Sequence, residues 1–78
     1  MNTEEALRWI ANLFEEQVEN ITPETPREKI EAWDSLGILT LMAALNENFD
    51  IILSENEIQE LRKVGDILAV LSDRGKLD

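Results

Sequence analysis

The chain has 78 residues, 17 acidic against 7 basic side chains for a formal net charge of −10, and neither cysteine nor histidine. That length implies one domain, residues 1–78, with a modest core; the missing Cys and His exclude a disulfide, the commonest metal ligand and the usual base of a catalytic nucleophile. The acidity excludes nucleic acid, whose phosphates need clustered Lys and Arg; it has two open readings, a complement to basic protein surfaces or an aid to solubility alone.

Thr3 is read as the cap of a first helix, with Glu4 and Glu5 beside the positive end of its dipole. Leu7, Ile10, Phe14 and Val18 recur at helical spacing, widened by Ala6, Ala11 and Leu13, so the helix is predicted to run through Val18. Trp9 is read as a partly buried residue at the edge of this core stripe, with a binding site as the alternative. From Asn20 to Asp34 the periodicity lapses into a long loop, where Ile21 and Ile30 are expected to reach the core. Thr25-x-x-Glu28 fits a capping box and predicts a turn of helix over 26–31. Trp33 has two open readings, a cover for the next helix or a contact for partners.

Asp34 and Ser35 are good N-cap residues, and the apolar run behind them predicts a second helix from about Leu36 to Asn48. Its buried face is Ile38, Leu41, Leu45 and Phe49. Leu36, Leu39 and Ala43 lie on another side, so this helix is apolar beyond what a core needs. Ser54-x-x-Glu57 is a second capping box, opening a short helix with Ile58 and Leu61 inward. Gly65 and Asp66 open the last helix, with Ile67, Leu68 and Leu71 apolar, and Gly75 ends it beside Arg74 and Lys76. With no strand signal, the prediction is an all-α four-helix bundle of three longer helices and a short third, with a long first loop.

Asp34-Ser35-Leu36, the Leu41-Met42-Ala43-Ala44-Leu45 segment, Glu47-x-Phe49-Asp50 and Val64-Gly65-Asp66-Ile67-Leu68 together resemble the acyl carrier protein family over nearly the whole chain. The resemblance implies that Ser35 carries phosphopantetheine, installed from coenzyme A by a phosphopantetheinyl transferase. The thiol of that arm holds acyl groups as thioesters for loading, condensing and acyl-transfer enzymes of fatty-acid, polyketide or related biosynthesis. It also implies that Asp34 meets cations on the transferase, and that Leu36, Leu39, Thr40, Ala43, Asn46 and Glu47 form the docking face. An acyl chain held inside would be lined by Leu45, Leu53, Ile58, Leu61 and Leu68.

The chain departs from the family in two places. Thr40, Asn46 and Asn48 leave the docking helix short of carboxylates, whereas the residues before Ser35 hold nine acids and three bases. Ala32-Trp33 also stands where a Gly usually precedes Asp-Ser-Leu. Both departures favour a specialised carrier over a primary fatty-acid one. An aminoacyl or peptidyl carrier is the nearest alternative, and an unmodified helical interaction module using Leu36, Leu39 and Ala43 is another. An enzyme is not expected, because a serine without a base is a poor nucleophile. The absence of a signal-peptide pattern and of any run near the roughly 20 apolar residues of a membrane span suggests a cytoplasmic monomer.

Overall fold

Asn2, rather than Thr3, caps the first helix, α1 (Thr3–Leu13). Its side chain accepts from the Glu5 amide at 2.8 Å, and the Glu5 carboxylate accepts from the Asn2 amide at 2.9 Å. Two otherwise unpaired donors are thus satisfied reciprocally one residue earlier than expected. The helix also stops sooner. Glu15 takes a left-handed conformation with φ of 57°. The Glu16 amide then returns to the Ala11 carbonyl at 2.8 Å and that of Glu15 to Asn12 at 3.2 Å. This paired closure ends a helix without further turns. Val18 therefore sits in a separate 3₁₀ turn, Val18–Asn20, still packed against the core.

The computed structural model, which describes residues 1–78, is all-helical, with α1 followed by α2 (Ser35–Phe49), α3 (Glu55–Gln59) and α4 (Val64–Asp73). The core is built from Ala6, Ile10 and Phe14 of α1 and its end, Leu41 and Leu45 of α2, and Val64, Ile67 and Leu71 of α4. Ile38 and Phe49, expected on the buried face of α2, are only half-buried. Trp9 lies edge-on to Phe49 with ring centroids 5.1 Å apart, at the core's margin as predicted.

The long loop is fastened at both ends. Ile21 and Ile30 are buried, as expected. Thr25 is not a helix cap: its hydroxyl accepts from the Thr22 amide at 2.9 Å, closing a turn backwards along the chain. The predicted helical turn over 26–31 shrinks to a 3₁₀ turn, Arg27–Lys29, that starts after Pro26 with no side-chain cap. Loop carbonyls instead cap α4. Gly65 donates to Pro23 at 2.7 Å, Val64 to Thr25 at 2.9 Å, and Arg27 donates to Arg62 at 2.9 Å. The Asp66 carboxylate takes the Arg62 and Lys63 amides, so α4 begins at Val64 rather than at Gly65.

Trp33 resolves to one of its two readings. It is 3% exposed and stacked on Phe14, with centroids 5.3 Å apart and planes at 14°, beneath the start of α2. Its carbonyl accepts from Arg27 Nε at 2.9 Å. The indole Nε1 is buried without an acceptor, at a cost of about 1–3 kcal/mol that the stacked, buried ring must offset. One residue upstream, the Ala32 carbonyl lies against buried Gly37, where an added Cβ would collide with its oxygen. Gly37→Ala is therefore expected to lower stability by about 1–3 kcal/mol, despite alanine's better helix propensity. Urea unfolding of the two proteins measures this directly.

Glu57 joins α3 to α4. One carboxylate oxygen accepts from the Ser54 amide at 3.0 Å, completing the predicted capping box, and the other accepts from Arg74 at 2.7 Å. The Ser54 amide above all holds the Glu57 carboxyl below the usual range; desolvation opposes it, and Arg74 adds to the lowering. A depressed folded-state pKa gives stability that is complete above the unfolded value near 4.3 and is lost as pH falls through the folded one. Glu57→Gln should accordingly flatten part of the acid limb of a melting-temperature profile between about pH 6 and 3, leaving a smaller difference between the proteins at the acid end.

Candidate functional site at the start of the second helix

The loop that Trp33 anchors turns into α2 at Asp34. Its backbone is extended (φ −108°, ψ −162°), and its carboxylate accepts from the Gly37 amide at 2.9 Å. The Asp34 carbonyl takes the Ile38 amide at 2.9 Å, the first turn of the helix. This leaves the amides of Ser35 and Leu36 without a partner in the chain. Ser35, the first helical residue, is exposed, and its hydroxyl makes no hydrogen bond to the protein. A free hydroxyl thus stands beside two unpaired N–H groups at the positive end of a 15-residue helix, an arrangement that favours a negatively charged substituent.

Of the expected partner-facing residues, Asp34, Leu36, Leu39, Thr40, Ala43, Asn46 and Glu47 are all exposed. They do not form one uniform strip. Asp34, Leu36 and Thr40 border a groove of about 350 Å³ shared with Leu13 and Glu15 at the end of α1. Leu39, Ala43 and Asn46 border another of about 370 Å³, with Met42 and the loop residues Ile51, Ile52 and Leu53. Thr40 is exposed and spends its hydroxyl on the Leu36 carbonyl at 3.0 Å. The side chains expected to line an internal cargo site are core residues: Leu45, Leu53, Leu61 and Leu68 are buried and Ile58 half-buried. The groove beside α2 shares only Leu53 with them.

Ile52 has no counterpart among the sequence-derived candidates. The signal available was the run Ile51-Ile52-Leu53 between Asp50 and Ser54. In an extended segment, three successive apolar side chains cannot all face one core.

Helix order, an exposed serine at the head of an apolar helix and a long pinned loop define a small all-α domain with a modifiable hydroxyl at one helix start. Residues 8–71 match the family model described as the phosphopantetheine attachment site. The chain belongs to that family and has the acyl carrier protein fold. It is similar over 95% of its length to a holo acyl carrier protein from Geobacter metallireducens solved by solution NMR. That match covers 86% of the solved chain, with a TM-score of 0.77 and 32% identity. A 41-residue stretch is 39% identical to the acyl carrier protein of Chlamydia muridarum (strain MoPn / Nigg), covering 53% of each chain. The match thus spans about half the length of that curated relative.

The arrangement around Ser35 suits phosphopantetheine, since the hydroxyl is unencumbered and the neighbouring amides are free to face a phosphodiester. No helix is long and apolar enough to cross a membrane. Because Asp34 holds Gly37 and starts the helix, Asp34→Ala should cost about 1 kcal/mol of stability. Thermal unfolding followed by circular dichroism reads that loss.

Proposed function

We propose that Ser35 is the residue to which phosphopantetheine is attached, and that residues 1–78 work as a monomeric, non-enzymatic acyl carrier domain. The observation behind this is the Ser35 hydroxyl, exposed and unbonded at the first position of α2, beside the unpartnered Ser35 and Leu36 amides. In the modification, Ser35 Oγ forms the new bond to the phosphorus that bears pantetheine, and 3′,5′-ADP leaves coenzyme A. The hydroxyl proton goes to a base supplied by the transferase, because this chain has no histidine. Once attached, the arm supplies a terminal thiol that holds acyl groups as thioesters.

The chain's own part is positional. Asp34 holds the helix start rigid through Gly37, so the arm swings from a fixed point. The free amides lie beside the phosphodiester, worth roughly 0.3–1 kcal/mol at an exposed helix end. Leu36 at 73% and Leu39 at 61% exposure give acyl-loading, condensing and transfer enzymes apolar ground to dock on, with Asp34, Ala43 and Glu47 around them. Ser35→Ala should keep the fold within about 1 kcal/mol and take up no label from fluorescent coenzyme A with a broad-range phosphopantetheinyl transferase. Mass spectrometry of the labelled wild type should place a single adduct on Ser35. Labelling of the mutant, or none of the wild type, contradicts the assignment.

A further inference from the structure

The apolar surface at the start of α2 continues off the helix. Between Asp50 and Ser54 the chain is neither helix nor strand, and burial alternates along it. Ile51 and Leu53 turn inward at 2% and 7% exposure, and Ile52 is left facing out at 75%. Ile52 and Leu39 flank the groove of about 370 Å³, which Met42, Ala43, Ile51 and Leu53 also line. Two exposed branched side chains beside one apolar groove keep a patch in water that burial would stabilise, which marks a surface meant to be covered.

Charge selects what covers it. From Ile30 to Leu61 the chain carries seven carboxylates and no Lys or Arg; Glu57 is paired with Arg74, while the exposed Glu47, Asp50 and Glu55 lie close to the loop in sequence. A second copy would bring the same carboxylates, on a chain of −10, against this patch, and like charges across an interface are repulsive. A partner with a basic rim meets no such penalty. Reach supplies the other argument. An enzyme acting on Ser35 covers about 800 Å² of the carrier, a disc of roughly 16 Å radius. At 1.5 Å per residue, Leu39 and Ala43 lie only about 6 and 12 Å along the helix from Ser35.

We infer that Ile52, together with Leu39, is a docking anchor for the phosphopantetheinyl transferase, whose apolar side chain seats in the groove while its Lys and Arg residues meet the carboxylates of α2 and the adjoining loop, Glu47, Asp50 and Glu55. The inference rests on the assignment of Ser35 as the modified residue. Ile52 acts on binding and not on the transfer step, since it touches neither the serine nor its flanking amides.

The test is steady-state transfer from fluorescent coenzyme A by a broad-range phosphopantetheinyl transferase, with the unmodified carrier as varied substrate. Ile52→Ala should raise KM for the carrier about tenfold while kcat stays within about twofold. Ile52→Leu, which keeps an apolar side chain of equal volume, should restore KM, and Ile52→Asn should resemble the alanine variant. Gln17→Ala, distant along the chain and exposed, serves as control, and melting curves verify that each variant folds. A KM for Ile52→Ala within about twofold of the wild type overturns the inference. If KM is unchanged while self-association in sedimentation is lost, the occupant is a second copy. If KM is unchanged while acyl-dependent thermal stabilisation is lost, it is the cargo; either result overturns the anchor. A wild type that takes no label removes the Ser35 assignment and the anchor together, whereas a labelled wild type with an indifferent Ile52 removes the anchor alone.

Discussion

The Ala32 carbonyl presses against Gly37 so closely that no side chain fits between them, and the rest of the site depends on that contact. It joins the end of the loop to the first turn of α2, with Trp33 and Asp34 bridging the gap. Trp33 wedges its ring onto Phe14, and Arg27 fixes its carbonyl from the side. Asp34, left at the corner, caps the helix through Gly37 itself. Ser35 is exposed in consequence: every neighbour before it is committed inward or to the cap. The loop is stiff in turn because Pro23 and Thr25 give their carbonyls to the first amides of α4. A small domain with a limited core thus makes its longest connection part of the framework.

The start of α2 was legible because its signal is local. Asp34-Ser35 followed by an apolar run carries cap and helix in one stretch, and Ser54 with Glu57 does the same for α3. The end of α1 was not, because the left-handed residue that closes it is Glu15. A glycine there would announce the stop, while a glutamate reads as more helix. Thr25 misled for a related reason. Its hydroxyl serves either a following helix or a preceding turn, and only the competition with Thr22 decides. Ile52 was illegible since exposure of one apolar residue within a run depends on how the chain crosses the core's edge.

Those differences share a cause. Capping patterns say where a helix is able to begin, but the loop's path is set by what the next elements need. The first amides of α4 lack a side-chain cap and draw on loop carbonyls instead. Those bonds tie residues 23–27 to α4 and leave Pro26 to open only a short 3₁₀ turn, with the Thr25 hydroxyl turned back to Thr22.

Helix α2 serves two surfaces at once, and its composition follows from that. Leu41 and Leu45 fill the core, while Leu36 and Leu39 on the other side stay in water. Such a helix carries a single charged residue, Glu47, so solubility has to come from the rest of the chain. The excess of acids before Ser35 and along 50–60 supplies it. Salt screens exposed charges beyond about 8–10 Å, so on the proposed reading those flanks would attract a basic partner and orient its approach without fixing the final contact. Charge of that kind sets how often partners meet, whereas buried apolar area sets how long they stay. A carrier must be released after every transfer. On the proposed reading, a nearly uncharged helix with a few exposed aliphatic side chains would limit residence through the small area it buries, while the separate acidic flanks would keep encounter fast.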